Sequence, residues 1–383
     1  MLQIQVKYNK QITGVTVHAM TPLKTIFDDI KSKTNFEGES DDFLFVYNLH
    51  PHPVDQTPIG GIQIDPAKNL FILIEKDSYT ILNHYLTNIA PSLVCEAAAF
   101  VPQAQSIVSM IASSQQFIYS FSQDEVQSAV LSVLPFERLE NLEGDAEVAE
   151  ITKWFKEDFM TFTKSVKCHH CGKETQPAAV SLSVTQDEYL HQAYNVQIYH
   201  CNSCGANTRF PRYNDVAKLI ETRTGRCGEF ANTFAAVLKA LGFDVRLVND
   251  TNDHVWVEYW SEEKQRYVHV DPCENIIDKP YTYEKGWQKK IEWVFAVGEH
   301  QVQDVTKKYT QNIQDCIARR KLKCTDEWYY KYIRFKNEVS LARADPEIQE
   351  EVIDRQKKDA ESMEVVRQET ETEEERPRIS GNE

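Results

Sequence analysis

Hydrophobic and polar positions alternate at the start of the chain, where residues 2–6 (LQIQV) have the period of two that is typical of a half-buried β-strand. The segment TPLKTIFDDIKSK that follows has the spacing of an amphipathic helix, and the later segments DFLFVYN and NLFILIEK are strand-like. The first 77 residues therefore predict a hairpin, a helix and further strands, which together form a small α+β domain.

This order of elements resembles the ubiquitin-like β-grasp fold, which would occupy residues 1–77. Any other small α+β domain would give a similar pattern, since the segment carries no distinctive motif. The resemblance implies a domain that docks to partners and does not catalyse a reaction. Residues 78–144 contain Gln-, Ser- and Ala-rich pieces and are predicted to form a mostly helical linker region, to which we assign no function.

A second apolar pattern opens the main domain. Across residues 145–164, apolar side chains recur at steps of three and four after the helix breaker Gly144, as on an amphipathic helix. We expect the main domain over residues 145–310 and a C-terminal helical region over residues 311–340. Residues 341–383 contain 14 acidic and 7 basic residues and no aromatic residue, so we expect an acidic, largely disordered tail, a solvated helix that frays into disorder.

Composition limits the classes of protein that are possible. With 383 residues, of which 42% are apolar, the chain can form more than one hydrophobic core. A formal net charge of -16 disfavours binding to phosphate backbones, so we expect no nucleic-acid partner. The N-terminus has charges where a secretory signal needs an apolar core, and the apolar stretches are too short to span a bilayer. We therefore expect a soluble protein without membrane insertion.

Four of the nine cysteines form two CxxC pairs, Cys168 with Cys171 and Cys201 with Cys204. The odd cysteine count and the close pairs favour metal binding and thiol chemistry over a disulfide framework, which indicates a reducing compartment, the cytosol or the nucleus. Zinc prefers four tetrahedral ligands, and thiolates at this spacing supply them with little strain. We predict one structural Zn2+ ion held by these four cysteines.

Redox dithiols or buried free cysteines are the alternative to a zinc site. Each pair is followed by a glycine, Gly172 or Gly205, and this favours zinc knuckles. His169, His170 and His200 lie beside the cysteines, but four sulfurs already complete the coordination shell. We therefore assign these histidines no metal role.

Cys227 stands in a setting that favours a nucleophile, although a lone cysteine is more often a small buried hydrophobe. Apolar residues after it mark one face of a helix that ends at Gly242, and the turn 225–228 places Cys227 at the start of that helix. The helix dipole and Arg226 would both favour the thiolate form.

Two alternating segments downstream supply a base and an acid. Residues 253–260 and 267–271 are predicted to be antiparallel strands joined by the polar turn SEEKQR. If the turn is centred on the 262–263 bond, His254 lies directly opposite Asp271. A cysteine nucleophile needs such a base, and it needs an acid that holds the base in one tautomer.

His269 competes with His254 for the role of base. In the same register His269 faces Trp256, and it lies two residues from Asp271 on the same strand face, away from the point where a base for the cysteine is needed. We therefore predict that His254 is the base and that His269 has a structural role.

The segments CGEF, DHVWVEYW and YVHVDPCEN resemble the three catalytic boxes of the transglutaminase-like superfamily. Within that superfamily, the four-cysteine knuckles and the stretch RFPRYNDVAKLIETRTGRCGEF are similar to the cytoplasmic peptide:N-glycanases. The resemblance covers about residues 145–310 and leaves out the N-terminal segment. It implies an α+β fold with a papain/transglutaminase-like cysteine hydrolase core and a four-cysteine zinc subdomain.

The same resemblance implies that Cys227 is the nucleophile, His254 the general base and acid, and Asp271 the residue that orients His254. It also implies the substrate, an N-linked glycan on a misfolded glycoprotein in ER-associated degradation. The implied reaction cleaves the amide bond between the asparagine side chain and the glycan, converts asparagine to aspartate and releases the intact glycan. One oxyanion donor is expected to be the backbone N–H of Cys227.

Aromatic rings and carboxylates near the triad strands are candidates for contacts with sugars: Trp256, Glu258, Glu274 and Trp287. The resemblance favours Glu274 and Trp287, while any of the tryptophans could instead belong to the core. Tyr267 stands where the family pattern leads us to expect tryptophan, a change that could reshape the glycan contact.

Other functions would use similar residues. A cysteine protease or a crosslinking transglutaminase would have the same triad, because triad chemistry does not identify the acyl group under attack. An inactive scaffold that binds ubiquitin-proteasome partners is the main alternative, but all three triad residues are present. A zinc-ribbon nucleic-acid binder is disfavoured by the acidic charge. The N-terminal segment and the charged residues after about 310 predict docking to a ubiquitin-proteasome shuttle or a segregase.

Overall fold

The computed structural model describes residues 2–8, 11–34, 36–47, 50–62, 64, 69–76, 104–179, 182–320 and 324–370. They form two compact units, one within residues 1–95 and one within residues 96–383. Residues 78–103, the first part of the predicted linker, lie outside the described ranges. No helix in those ranges is long and apolar enough to cross a membrane.

The N-terminal unit is a five-stranded sheet that shares an apolar core with one helix. Its elements are β1 (Leu2–Tyr8), β2 (Gln11–Val17), α1 (Leu23–Thr34), β3 (Phe43–Tyr47), β4 (His50–Pro53) and β5 (Leu70–Glu75). The strand order is β2-β1-β5-β3-β4; β1 and β5 are parallel, and the other neighbours are antiparallel. The alternation predicted for residues 2–6 is confirmed, because Ile4 and Val6 are buried against Phe27 and Ile30 of α1.

Three sheets organise the second unit. Its strands are β6 (Thr161–Phe162), β7 (Gln176–Pro177), β8 (Val196–His200), β9 (Asn207–Pro211), β10 (Thr224–Gly225), β11 (Val245–Asp250), β12 (His254–Ser261), β13 (Arg266–Asp271), β14 (Ile276–Ile277), β15 (Val294–Gly298) and β16 (Val302–Asp304). The largest sheet is antiparallel, in the order β14-β13-β12-β11-β15-β16, and β7-β8-β9 form a smaller antiparallel sheet. Strands β6 and β10 make a short parallel pair.

The helices of this unit surround and connect the sheets. They are α2 (Gln105–Phe121), α3 (Asp124–Leu131), α4 (Phe136–Leu139), α5 (Gly144–Trp154), α6 (Gln186–Leu190), α7 (Val216–Thr222), α8 (Cys227–Ala240), α9 (Thr306–Tyr309), α10 (Ile313–Arg320), α11 (Asp326–Leu341) and α12 (Pro346–Thr370). Helices α2 and α3 lie in the stretch that the sequence suggests as a linker. Their residues Ile118, Phe121 and Val130 are buried in the same core as α8, so both helices are part of the second unit.

The apolar pattern of residues 145–164 predicts one continuous helix, and the structure divides it. Helix α5 begins at Gly144, a π-helical turn follows at Phe155–Phe159, and the chain then enters β6. Phe162 therefore lies on a strand and not on the predicted helix. The parallel pairing of β6 with β10 supplies backbone hydrogen bonds that replace those of a longer helix.

Helix α8 lies at the centre of the second unit. The apolar face predicted from Phe230, Phe234, Val237 and Leu238 is buried, and the helix ends just before Gly242, which has a φ of 91°. Alanines and a threonine on the other faces are buried as well: Ala231, Thr233, Ala235 and Ala236. The helix is thus enclosed by protein, and small side chains allow its neighbours to approach closely.

A buried cluster of four charges joins the large sheet to α12. Arg246 of β11 donates to Glu258 of β12 at 2.7 Å and to Asp359 of α12 at 2.7 Å. Lys308 donates to the same two carboxylates, at 3.0 and 2.7 Å. Burial alone would raise the pKa of Glu258 and of Asp359, but the two cations outweigh it and hold both pKa values below the usual range.

The buried position of Asp359 corrects the prediction made from composition for the C-terminal tail. Residues 346–370, for which the sequence predicts a solvated helix that frays into disorder, form helix α12, and this helix is packed and not fully solvated. Val352 and Met363 of this helix are buried along with Asp359. Composition alone does not reveal this order, because the partners of Asp359 lie about 50 and 110 residues earlier in the chain.

Replacement of Asp359 should destabilise the second unit strongly. Asp359→Ala leaves Arg246 and Lys308 buried with only one counter-charge, so we expect the free energy of unfolding to fall by about 3–5 kcal/mol in urea denaturation. The control is Lys358→Ala, which removes an exposed pair with Asp354 and should cost about 0–1 kcal/mol. Equal costs for the two variants would contradict the role of the cluster.

Candidate active site and metal centre

Cys227 is the first residue of α8, and its side chain is buried. A Cβ atom on Gly225, at the end of β10, would lie 2.3 Å from the Cβ of Glu229, so only glycine fits there. The short β6–β10 ladder and this close contact together fix the point at which α8 begins. The cysteine proposed from sequence as nucleophile thus lies at a helix N-terminus, where the helix dipole favours an anion.

The guanidinium group of Arg226 points toward the segments around β6 and β8. The group donates to three acceptors in the neighbouring sheet region: Thr163 O at 3.3 Å, Gln197 Oε1 at 3.4 Å and Tyr199 Oη at 2.8 Å. Its role is therefore to tie the start of α8 to the segments around β6 and β8.

His254 and Asp271 form a buried pair at adjacent strand ends. His254 begins β12, Asp271 ends β13, and the distance from His254 Nε2 to Asp271 Oδ2 is 2.8 Å. Both side chains are fully shielded from solvent. The structure therefore brings together the base and the orienting acid that the sequence predicts.

The strand register differs from the predicted one. Ser261 pairs with Arg266, so the turn comprises residues 262–265 and is centred one residue later than expected. His254 and Asp271 are consequently offset by two residues and are not directly opposite. Diagonal neighbours in an antiparallel pair are about 7–8 Å apart at Cα, which a histidine and an aspartate can bridge.

A chain of hydrogen bonds supports Asp271 from behind. The backbone N–H of Lys279 donates to His269 Nδ1 at 3.3 Å, and His269 Nε2 lies 2.7 Å from the hydroxyl of Tyr283. Since Nδ1 accepts, Nε2 carries the ring proton and donates to Tyr283, whose own proton goes to Asp271 Oδ2 at 3.0 Å. Burial lowers the pKa of His269 to about 4, so this ring stays neutral near pH 7, in agreement with a structural role.

These contacts lower the pKa of Asp271. Burial acts to raise the pKa of Asp271, but the charge and hydrogen bond of His254, together with the hydroxyl of Tyr283, outweigh it and leave the pKa below its ordinary value. The backbone N–H of Cys273 binds the other carboxylate oxygen at 2.9 Å. His254 Nδ1 is buried and has no hydrogen-bond partner among the described residues. It is the ring atom that remains available for proton transfer.

Three aromatic rings surround His254. Trp287 lies 4.8 Å and Tyr283 5.2 Å from its ring centroid. Trp256 is fully buried and stacks on Tyr283 at 4.2 Å, so it packs in the core and cannot reach a bound sugar in this structure. Glu274 is almost fully buried, whereas Trp287 is partly exposed beside His254.

Two further positions considered for glycan contact also lie in the core. Glu258 belongs to the buried charge cluster with Arg246. Tyr267 is fully buried, its hydroxyl donates to Asp244 at 2.5 Å, and the Arg246 guanidinium lies 3.6 Å from its ring centroid. The tyrosine in place of tryptophan therefore affects packing around the charge cluster and not an exposed sugar site.

The four cysteines of the two CxxC pairs meet in one place. The sulfur atoms of Cys168, Cys171, Cys201 and Cys204 all lie within 4.8 Å of one another, as expected for a metal site. Gly172 and Gly205 have φ values of 70° and 75°, and this left-handed backbone closes each knuckle.

The neighbouring histidines lie outside the sulfur cluster. His169 Nδ1 contacts the hydroxyl of Thr208 at 3.2 Å, and His200 Nδ1 contacts Asn207 Oδ1 at 2.9 Å. The donor set of four sulfurs is compatible with a tetrahedral soft metal ion and leaves no position for a further protein ligand.

Comparisons with known proteins agree with this site. Residues 178–272 match the family model of the transglutaminase-like superfamily, and residues 249–374 match that of the Rad4 transglutaminase-like domain. The second unit, which is of mixed α and β structure, is therefore similar to transglutaminase-like domains. The resemblance to peptide:N-glycanases that the motifs suggest is confirmed by curated relatives.

Two of these relatives are peptide-N(4)-(N-acetyl-beta-glucosaminyl)asparagine amidases. The enzyme of Rattus norvegicus is 34% identical over 263 residues, which cover 64% of this chain and 40% of the relative. The enzyme of Saccharomyces cerevisiae is 43% identical over 202 residues, which cover 51% of this chain and 56% of the relative. The chain thus spans about half the length of the curated relatives it matches, or less.

A solved structure of Rad4-Rad23 crosslinked to an undamaged DNA also resembles this chain. The match covers 71% of this chain and 58% of the chain in that structure, with a TM-score of 0.45 and 14% sequence identity. A likeness this weak supports no inference about function.

Removal of the Tyr283 hydroxyl should weaken the active-site network. In Tyr283→Phe, His269 loses its acceptor and Asp271 loses a donor, so we expect the free energy of unfolding to fall by about 1–3 kcal/mol in urea denaturation. Tyr189→Phe is the control, because that side chain is 63% exposed and should change stability by less than about 0.5 kcal/mol. A neutral Tyr283→Phe would show that the network contributes nothing to stability.

Proposed function

We propose that this chain is an amidase that removes N-linked glycans from glycoproteins by hydrolysis of the bond between the asparagine side chain and the glycan. The observation that carries the proposal is the arrangement of His254. Its Nε2 is held by Asp271, its Nδ1 is left without a described partner, and Cys227 begins the helix that packs against the same strand. The curated relatives with this domain are named as amidases of the same bond.

The first half of the reaction forms a thioester. His254 Nδ1 takes the thiol proton of Cys227, and the sulfur attacks the carbonyl carbon of the glycosylated asparagine amide. The same nitrogen then returns the proton to the leaving glycosylamine as the C–N bond breaks. Asp271 stabilises the imidazolium ion between these two transfers, and Tyr283 and His269 hold Asp271 in place.

Water completes the reaction. His254 Nδ1 removes a proton from a water molecule, whose oxygen attacks the thioester carbon, and the C–S bond breaks. The thiolate recovers the proton from His254. The products are aspartate in the peptide and the free glycosylamine, so the glycan leaves intact.

Trp287 and Glu274 are the proposed glycan contacts. Trp287 borders His254 and is partly exposed, so one face of its ring can pack on a sugar next to the scissile bond. The support for Glu274, which is almost fully buried, is the resemblance to peptide:N-glycanases alone. The preceding residue, Cys273, has a buried thiol whose pKa burial holds well above its ordinary value, which favours Cys227 as the nucleophile.

The four-sulfur cluster is proposed to hold one structural Zn2+ ion, since four thiolates within 4.8 Å of one another suit zinc. Cys171→Ser should reduce the zinc content from about one ion per chain to well below that, as measured by elemental mass spectrometry. The control His200→Asn changes a neighbour of Cys201 that lies outside the cluster and should retain full zinc. Full zinc in both variants would exclude this site.

The N-terminal unit is proposed to be a ubiquitin-like domain. The strand order β2-β1-β5-β3-β4, the parallel pairing of β1 with β5 and the packing of helix α1 on this sheet support this reading. Such a domain would dock the enzyme to ubiquitin-proteasome shuttle or segregase components. Misfolded glycoproteins in ER-associated degradation are then the proposed substrates, and a reducing compartment, the cytosol or nucleus, is the proposed location.

An inactive scaffold with the same fold remains the competing function. It would bind the same partners without cleavage of a glycan. The buried charge balance of His254 and Asp271 favours the enzyme, because a scaffold has no need for an ionised aspartate beside an otherwise unpartnered imidazole nitrogen.

Mass spectrometry of a denatured high-mannose glycoprotein should decide between the amidase and the inactive scaffold. Incubation with the zinc-replete, reduced protein should convert the glycosylated asparagine to aspartate, about 1 Da heavier than asparagine in ordinary water and about 3 Da heavier in 18O water. The 18O shift identifies water as the attacking group and excludes earlier deamidation.

Cys227→Ala is the matched variant for this assay. It should fold as the wild type does, because the side chain is small, and leave the glycoprotein intact. Glycan loss with both proteins would refute the role of Cys227, and an intact glycoprotein with the wild type would favour the scaffold.

A further inference from the structure

The hairpin of β8 and β9 links the cysteine cluster to the start of α8. Its turn contains Cys201 and Cys204, since β8 ends at His200 and β9 begins at Asn207. At its open end Val196 pairs with Pro211, and the next residue along, Arg212, extends the ladder with a hydrogen bond to Asn195 O. One end of this hairpin therefore closes the metal site while the other end reaches the catalytic helix.

Arg212 binds the first turn of α8 through two parallel hydrogen bonds. Its Nε donates to Glu229 Oε1 at 2.5 Å, and its Nη2 donates to Glu229 Oε2 at 2.9 Å. A Cβ on Gly228 would lie 3.9 Å from the same Nη2, so the guanidinium group borders the residue after Cys227. Bidentate pairs of this kind fix geometry as well as charge.

Glu229 also holds the backbone that precedes the nucleophile. Its Oε2 accepts the backbone N–H of Arg226 at 3.0 Å, and its side chain folds over Gly225. This carboxylate is nearly fully buried, with a side-chain exposure of 5%. Cys227 thus lies between a residue whose N–H is bound by Glu229 and a residue that borders Arg212.

A second arginine repeats the connection. Arg226 donates to Tyr199 of β8 at 2.8 Å, and its guanidinium lies 5.3 Å from the ring centroid of Phe210 in β9. The guanidinium of Arg212 lies 5.8 Å from that same ring. Both strands of the hairpin therefore contact Arg226, the residue that precedes the helix start.

We propose that Arg212 and Glu229 are positioning residues that clamp the first turn of α8 to the β8–β9 hairpin and thereby fix the thiol of Cys227 for attack. This inference rests on the proposed function of Cys227 as nucleophile. It gives a physical role to Arg212, the second arginine of the RFPRYND segment, and to Glu229, the glutamate of CGEF. The motifs alone do not show the purpose of either residue.

The clamp has a natural control in the same hairpin. Arg209 of β9 makes a matching bidentate pair with Glu188 of α6, at 2.7 and 2.5 Å. The side-chain exposures are similar, 29% and 7% for this pair against 22% and 5% for Arg212 and Glu229. Glu188 caps its own short helix and not α8, so a change at Arg209 tests general weakening of the hairpin.

The test is the rate at which Cys227 reacts with iodoacetamide at pH 7 in the full-length, zinc-loaded protein, followed by peptide mass spectrometry. We expect Arg212→Gln and Glu229→Gln each to slow this reaction at least about tenfold, because the thiol is no longer held at the helix start. Arg209→Gln should stay within about twofold of the wild type. Zinc content is measured in every variant and should not change.

Conservative substitution separates positioning from folding. Arg212→Lys keeps the positive charge but cannot form the bidentate pair, so we expect a rate between those of the wild type and Arg212→Gln. If Arg212→Gln fails to fold, Arg212→Lys decides alone: a slower reaction supports the clamp, and a wild-type rate overturns it.

Two further outcomes would overturn the inference. The first is a wild-type rate in both Arg212→Gln and Glu229→Gln, and the second is an equal loss in Arg209→Gln. The assay uses no glycoprotein, so its result is distinct from that of the amidase assay. A slow Arg212→Gln together with an inactive wild type would retain the clamp and reject the proposed substrate.

Discussion

The enclosure of α8 is the constraint on which the rest of the second unit depends. A helix that is buried on every side can present a side chain to a substrate only at its ends, and Cys227, the proposed nucleophile, is the first residue of this helix. The elements around it then have separate tasks. The large sheet presents His254 and Asp271, the β6–β10 ladder sets the helix start, and the hairpin that carries two of the cysteines holds the first turn.

The polar groups of this site are hydrogen-bonded to one another in successive layers around Asp271. Asp271 receives hydrogen bonds from His254, Tyr283 and the backbone of Cys273, and Tyr283 is in turn bound by His269. Each layer is buried, so each group depends on the next for its partner. This arrangement explains how an ionised carboxylate can persist without water in the interior, and why a single nitrogen atom of His254 is left over for chemistry.

Local patterns predicted the residues of the site better than its geometry. The CxxC spacing, the helix after Cys227 and the alternation around His254 are short-range signals, and the structure brings the four cysteines together and places His254 against Asp271. The register was wrong by two residues because a four-residue turn cannot be told from a two-residue one in a polar segment. Trp256, Glu258 and Tyr267 were misjudged since their partners come from distant strands and from α12. No sequence pattern indicated Tyr283 as a site residue, because its role depends on contacts that only the fold creates.

The buried charge cluster also bears on how the chain is made. Arg246 and Lys308 leave the ribosome well before Asp359, and the sheet that carries His254 contains one of these cations. Until α12 emerges, a nascent chain must either bury two cations against a single carboxylate or keep this edge of the sheet open to water. Synthesis of α12 therefore acts as the step that commits the large sheet to its final packing, and chains that stop short of Asp359 would be recognisable to quality control as incompletely folded.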